Sequence, residues 1–118
     1  MTALLGGWRL ERWSFLYEDG REEFPMGADA GGYILYTPAG QVSATIMRAD
    51  KSECFAYAGR YELAEGTVFH VIEVSTDAGL VGFRSTRHIR LDGDRLTLSG
   101  PDFRPGTRRT QQIVWRRA

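Results

Sequence analysis

The sequence predicts an all-β fold: an eight-stranded antiparallel up-and-down barrel. Three observations predict it. Apolar residues recur with a period of two along most of the chain, Gly, Pro and Asp-rich turn signals separate the runs, and no window of about 11 residues carries a helical stripe. Eight sequential hairpin-linked strands lose their exposed edges by closing into a barrel, and a barrel of that size holds packed side chains or one small ligand. A β-sandwich is the structural alternative.

The first strand, Trp8 to Tyr17, is rich in aromatics and ends at the turn Glu18-Asp19-Gly20. Gly32 to Thr37 meets the Pro38-Ala39-Gly40 turn and returns as Gln41 to Arg48, where Val42, Ala44 and Ile46 alternate with Ser43, Thr45 and Met47. Phe55 to Leu63 and Thr67 to Ser75 form a hairpin around Ala64-Glu65-Gly66. After Thr76-Asp77-Ala78-Gly79, a long strand from Leu80 to Leu91 turns at Asp92-Gly93-Asp94 into Arg95 to Ser99; Asp-Gly is a strong hairpin signal. A loop with two prolines, Gly100 to Arg109, leads to the last strand, Thr110 to Arg116. Ala49 to Cys54 has room for one helical turn at most.

At 118 residues the chain is expected to form one domain, residues 1–118, large enough for a core without disulfide staples. Cys54, the single cysteine, allows no internal disulfide. The 15 basic and 15 acidic residues cancel, so the basic excess that nucleic-acid binding needs is missing. Met1 to Trp8 lacks the basic flank and apolar length of a signal peptide, and no run of about 20 apolar residues suggests a membrane span. A cytoplasmic protein with no nucleic-acid or membrane partner is expected, and a homodimer is left open. Two histidines and one cysteine show no metal-ligand spacing, and no phosphate loop, dinucleotide fingerprint or nucleophile elbow occurs, so neither metal nor cofactor is expected.

Nearly end to end, the chain resembles the lipocalin-like domain family of bacteria and fungi. The resemblance is carried by Gly6-Gly7-Trp8-Arg9-Leu10, by Gly32-Tyr33-Ile34-Leu35-Tyr36-Thr37-Pro38-Ala39-Gly40, and by Tyr57-Ala58-Gly59-Arg60-Tyr61. It continues through His70, Glu73-Val74-Ser75, Leu91 to Leu98, and Val114-Trp115. It implies a calycin-type barrel with an internal cavity. Gly6-x-Trp8 resembles the first-strand signature of lipocalins, in which the indole packs under an arginine beyond the last strand; Arg116 or Arg117 would fill that place here. The segment between Met47 and Tyr57 is shorter than in many relatives, and the aromatic expected before the sixth strand is missing from Asp77-Ala78-Gly79-Leu80, so ligand size does not carry over.

Parity selects the candidate site residues. Leu96 and Leu98 alternate with polar neighbours and face inward; counting back through the turn puts Leu91, Ile89, Arg87, Ser85, Phe83 and Val81 inside, absent a bulge. Arg87 is therefore a candidate interior cation, which a bulge would turn outward. His70 shares a face with Val68, Ile72 and Val74, while Glu73 lies on the other; which face lines the interior stays open. His70 is the best general acid or base available, with Glu73 and Arg87 as catalytic companions that could pair across strands. Tyr36, Tyr57 and Tyr61 suit an amphipathic ligand, and Ser43, Met47 and Phe83 are further ligand-binding candidates. Two functions are expected to compete: binding of a small hydrophobic or amphipathic molecule in the barrel, or cofactor-independent isomerisation or cyclisation of a polyketide- or terpenoid-like substrate. A filled structural barrel is the third reading.

Overall fold

The computed structural model of the protein describes residues 3–103 and 106–118. Met1 and Thr2, part of the segment read for a signal peptide, and Arg104 and Pro105, part of the two-proline loop, lie outside the described residues. Nine strands follow in order: β1 (Gly6–Tyr17), β2 (Glu22–Glu23), β3 (Gly31–Tyr36), β4 (Gln41–Met47), β5 (Cys54–Ala64), β6 (Thr67–Ser75), β7 (Arg84–Asp92), β8 (Arg95–Pro101) and β9 (Arg109–Arg117). From β3 to β9 each strand pairs antiparallel with the next, and β1 pairs with both β3 and β9 to close the ring. All eight expected strands are present; β2 is a two-residue addition against Phe15 and Leu16 of β1. Among the described residues no helix is long and apolar enough to cross a membrane.

Alternation places the core. On β4, Val42, Ala44 and Ile46 are buried while Ser43, Thr45 and Met47 face out; on β8, Leu96 and Leu98 are buried. Two bulges decide where this simple count breaks. On β1 the ladder to β9 skips Glu11, so Trp8 and Leu10 face inward before it and Trp13 and Phe15 after it. On β6 the ladder to β5 skips Glu73: Ile72 opposes Gly59 and Val74 opposes Ala58. Val74 is thereby turned outward to 61% exposure, although it shares a sequence parity with His70. Gly59 permits this bulge, because a Cβ there would collide with the Val71 carbonyl oxygen.

The seventh strand is shorter at its start than the sequence suggests. Asp77 caps a 3-10 turn, Ala78–Leu80, by accepting from the Gly79 amide at 3.1 Å, and Gly82 takes a positive φ of 91°. The Gly82 amide then donates to the Ile72 carbonyl, and regular pairing resumes only at Arg84. Val81 is consequently 52% exposed, and Phe83 sits at the barrel rim. Leu91 is also partly exposed, at the far end of β7. The loop after β8 is shorter than expected, since Gly100 pairs with Gln111 and Pro101 with Thr110.

One end of the barrel is sealed. Trp8 is fully buried and donates through Nε1 to the Leu4 carbonyl at 3.0 Å. Arg117 lies over the indole, its Cζ 3.7 Å from the ring centroid, and donates to the carbonyls of Leu5 and Ala3 at 2.7 and 2.8 Å. Of the two arginines the resemblance offered for this place, Arg117 fills it; Arg116 instead pairs with the bulged Glu11 at 3.1 Å. Trp8→Ala is expected to cost about 3–5 kcal/mol of unfolding free energy, from lost burial plus a cavity. Arg117→Ala, which keeps the indole, should cost roughly 1 kcal/mol. Urea unfolding of the two variants measures both, and an equal loss would contradict this division.

Candidate functional site

The interior polar groups converge on β6. His70 alternates with Val68 and Ile72, which fixes it on the inward face, 1% exposed. Its Nε2 lies 2.7 Å from the hydroxyl of Tyr36 on β3, and its Nδ1 lies 2.7 Å from that of Tyr57 on β5. A neutral imidazole has one donor and one acceptor nitrogen, so one phenol donates to the ring and the other accepts from it. The accepting phenol keeps its own proton for a further partner. Burial, with the Arg87 charge acting in the same direction, pushes His70 down to about 3. Burial also pushes Tyr57 up to about 12 and Tyr36 well above its ordinary value. All three groups are therefore neutral around pH 7.

Arg87, on β7, is 2% exposed. Its Nη1 donates to the carbonyls of Thr86 at 2.8 Å and Pro101 at 3.1 Å, and its guanidinium lies 5.0 Å from the Phe103 ring centroid. Gly100 makes this reach possible, since a Cβ there would collide with the Thr86 carbonyl and crowd Nη1. Burial lowers the Arg87 pKa. Asp102 acts on it electrostatically but is held by Arg109, Nε to Oδ2 at 2.6 Å.

Between these groups runs a narrow internal gap of about 10 Å³, lined among others by Trp13, Phe55, Tyr57, Phe103, Gln111 and Trp115. That volume admits about one water. Trp13 stacks on Phe55 at 5.5 Å, and Phe103 packs edge-on to Tyr57 at 6.4 Å and to Phe83 at 5.8 Å. Phe103 thus plugs the end opposite Trp8. Gln111, fully buried on β9, accepts from Trp13 Nε1 at 2.9 Å. Among the described residues, Arg87 Nη2, Gln111 Nε2, Trp115 Nε1, Ser14 Oγ and Ser85 Oγ are buried without a hydrogen-bond partner.

Of the residues singled out in the sequence, Tyr36, Tyr57, His70 and Arg87 come together inside the barrel. Tyr61 adjoins them, edge-on to Tyr36 at 5.0 Å, with its hydroxyl donating to the Thr37 carbonyl. Phe83 stands at the rim. Glu73, Ser43 and Met47 face outside and do not join the cluster. Glu73 is outward because it alternates with inward His70 and Ile72, so it does not meet inward Arg87. Sequence reasoning missed Trp13, Phe103, Gln111 and Trp115. Gln111 and Trp115 were legible as alternating members of the last strand; Trp13 was hidden by the Glu11 bulge, and Phe103 lies in a loop without periodicity.

Larger depressions of about 430 and 440 Å³ lie outside the barrel. Glu11 in the first pairs with Arg95 and Arg116, and Asp102 in the second with Arg109. Among the described residues no group of three or more His, Cys, Asp or Glu side chains is placed to hold a metal ion. Cys54 is an exposed free thiol at the start of β5, remote in environment from buried His70.

A closed eight-strand antiparallel ring with one indole-sealed end and a buried polar cluster defines a calycin-type barrel. The chain belongs to the lipocalin-like domain family, whose model matches residues 5–55 and 49–118. No curated protein is significantly similar in sequence. Among solved structures, the lipoprotein YedD from Klebsiella pneumoniae is similar in fold, with TM-score 0.55 and 11% identity over 100% of this chain and 74% of that one. An uncharacterized protein from Bacteroides eggerthii gives TM-score 0.60 and 14% identity, covering 98% and 99% of the two chains. A redesigned β barrel gives TM-score 0.60 and 16% identity, covering 98% and 91%.

The depressed His70 pKa predicts a pH dependence of stability. Unfolded His70 binds its proton near 6.5 and folded His70 only near 3. Between these values the unfolded state holds more protons, so this contribution is complete above about pH 6.5 and is lost as pH falls toward 3, by up to roughly 1.4 kcal/mol per unit. Urea titrations of the wild type and His70→Gln between pH 7 and 4 should differ by that slope. Parallel curves would show that His70 takes up its proton equally in the folded and unfolded chain.

Proposed function

We propose that the barrel binds one small amphipathic molecule in its interior. Its apolar body would lie against Trp13, Phe55 and Phe103, and its polar end would face Arg87 and the Tyr36–His70–Tyr57 network. The observation that carries this reading is the set of buried polar atoms without partners beside an aromatic-lined gap. Such atoms each cost about 1–3 kcal/mol when left unmatched, and a filled structural barrel has no use for them. Because the gap is only about 10 Å³, entry requires Phe103 and Phe55 to rotate away from the axis. Membership of the lipocalin-like family supports the same reading.

The isomerase or cyclase alternative has less support. His70 has both nitrogens engaged and is a weak base at about 3, and outward Glu73 offers no second proton-transfer group. Residues 1–118 would act as one functional unit in the cytoplasm. For self-association, the outer face offers apolar surface at Leu35 and Val74.

Thermal unfolding against a panel of aromatic polyketides, terpenoids and fatty acids tests the reading. A ligand at 100 times its Kd stabilises by about 2.7 kcal/mol, which should raise Tm by roughly 10 °C. Ala44→Val, which narrows the gap with two methyl groups at a cost of about 1–3 kcal/mol, should fold and reduce the shift, whereas outward Ser43→Val should keep it. A flat response of the wild type across the panel would overturn interior binding.

A further inference from the structure

The chemistry of the interior goes beyond amphipathic binding and narrows the kind of ligand. Resting on the interior-binding reading above, we infer that the ligand is a small aromatic carboxylate, its anionic head held by Arg87 and Gln111, which both stand beside Gly100.

The first observation is the sign of the unmatched polarity. Three side chains that line the gap carry buried nitrogens without a partner among the described residues: Arg87 Nη2, Gln111 Nε2 and Trp115 Nε1. Every one is an N–H donor. Guanidinium and indole have no acceptor at all, and the acceptor oxygen of Gln111 is already taken by Trp13 Nε1 at 2.9 Å. Tyr57 also lines the gap, and in the tautomer where His70 Nδ1 donates to it, its phenol proton becomes another donor. A site with this inventory is complementary to a group made of acceptors only.

The second observation is charge. Arg87 is a cation at 2% exposure, and its bound nitrogen contacts neutral backbone carbonyls. Among the described residues no carboxylate forms an ion pair with it; Asp102, the carboxylate that acts on it electrostatically, is paired with Arg109 at 2.6 Å. A neutral acceptor such as an amide would satisfy the donors but leave the buried charge unbalanced, whereas a carboxylate does both. The two oxygens of a carboxylate also suit a guanidinium edge and a neighbouring amide together.

The third observation concerns the body of the ligand. The ring of Phe103 occupies the mouth side of the gap, under the Arg87 guanidinium and against Tyr57 and Phe83. A ligand that displaces this ring can take over its aromatic contacts, and the stacked Trp13–Phe55 pair extends the same surface. An aromatic body replaces these contacts in kind, and a long flexible chain does not.

The test is isothermal titration of the intact protein with phenylacetate, naphthylacetate and indoleacetate, each beside its primary amide. At least one acid should bind ~30-fold or more tighter than its amide, and Arg87→Met should bring the pair to within about threefold. Gln111→Leu should weaken the acid more than the amide. Acid and amide of equal affinity would overturn the anion assignment while leaving interior binding standing. A preference that survives Arg87→Met would overturn the role of Arg87. The acid-to-amide ratio is read on the unaltered chain, so it stands even if a variant fails to fold. If no acid binds while neutral terpenoids or polyketides raise Tm, the aromatic carboxylate is wrong and the interior site is not. Silence from every compound in both experiments overturns both.

Discussion

The ladder between β1 and β9 governs everything inside this molecule. Once Trp8–Tyr17 pairs along Arg109–Arg117, the sheet has no free edge between its eight main strands, and each strand must turn alternate residues toward one shared axis. An eight-strand ring leaves little room there, so a few large side chains fill it. The one-residue bulges at Glu11 and Glu73 shift the count, so that the residues after them change face. Without the first bulge Trp13 and Phe15 would face solvent. Without the second, Val74 would continue the inward face of His70 and Ile72.

Inside the ring, polar groups are grouped rather than scattered. Tyr36, His70 and Tyr57 satisfy one another as neutral partners, which is the cheaper way to bury an imidazole. Arg87 cannot be neutralised in that way and rests on backbone carbonyls that Gly100 leaves accessible. The contrast separates two kinds of buried polarity. The tyrosine–histidine network is internally complete apart from one phenol proton, and stabilises the fold as it stands. The donors Arg87 Nη2, Gln111 Nε2 and Trp115 Nε1 have no hydrogen-bond partner among the described residues.

Much of this was readable from particular residues. Period-two alternation in Val42–Ile46 and Leu96–Leu98 placed their strands and faces correctly, and counting back from Leu96 placed Arg87 inside. The resemblance of Gly6-x-Trp8 to the lipocalin signature implied the sealed end, with Arg116 or Arg117 over the indole. Counting failed wherever the ladder was irregular. It put Val74 with His70, carried a strand through Val81 where a capped 3-10 turn intervenes, and gave no view of Trp13 or Phe103. Ser43 and Met47 were grouped with the binding candidates for their chemistry, although their alternation with Val42, Ala44 and Ile46 already opposed it.

What the sequence determined by itself was the set of strands, their turns and most of their two-faced patterning. Those depend on local backbone sterics and on spacing along the chain. Only the tertiary structure decided which face of β6 is interior, which arginine covers Trp8, and that Tyr36 and Tyr57 meet on the two sides of one imidazole. These outcomes rest on closure and register between strands far apart in sequence. A one-residue bulge there reverses a face while leaving every local signal unchanged.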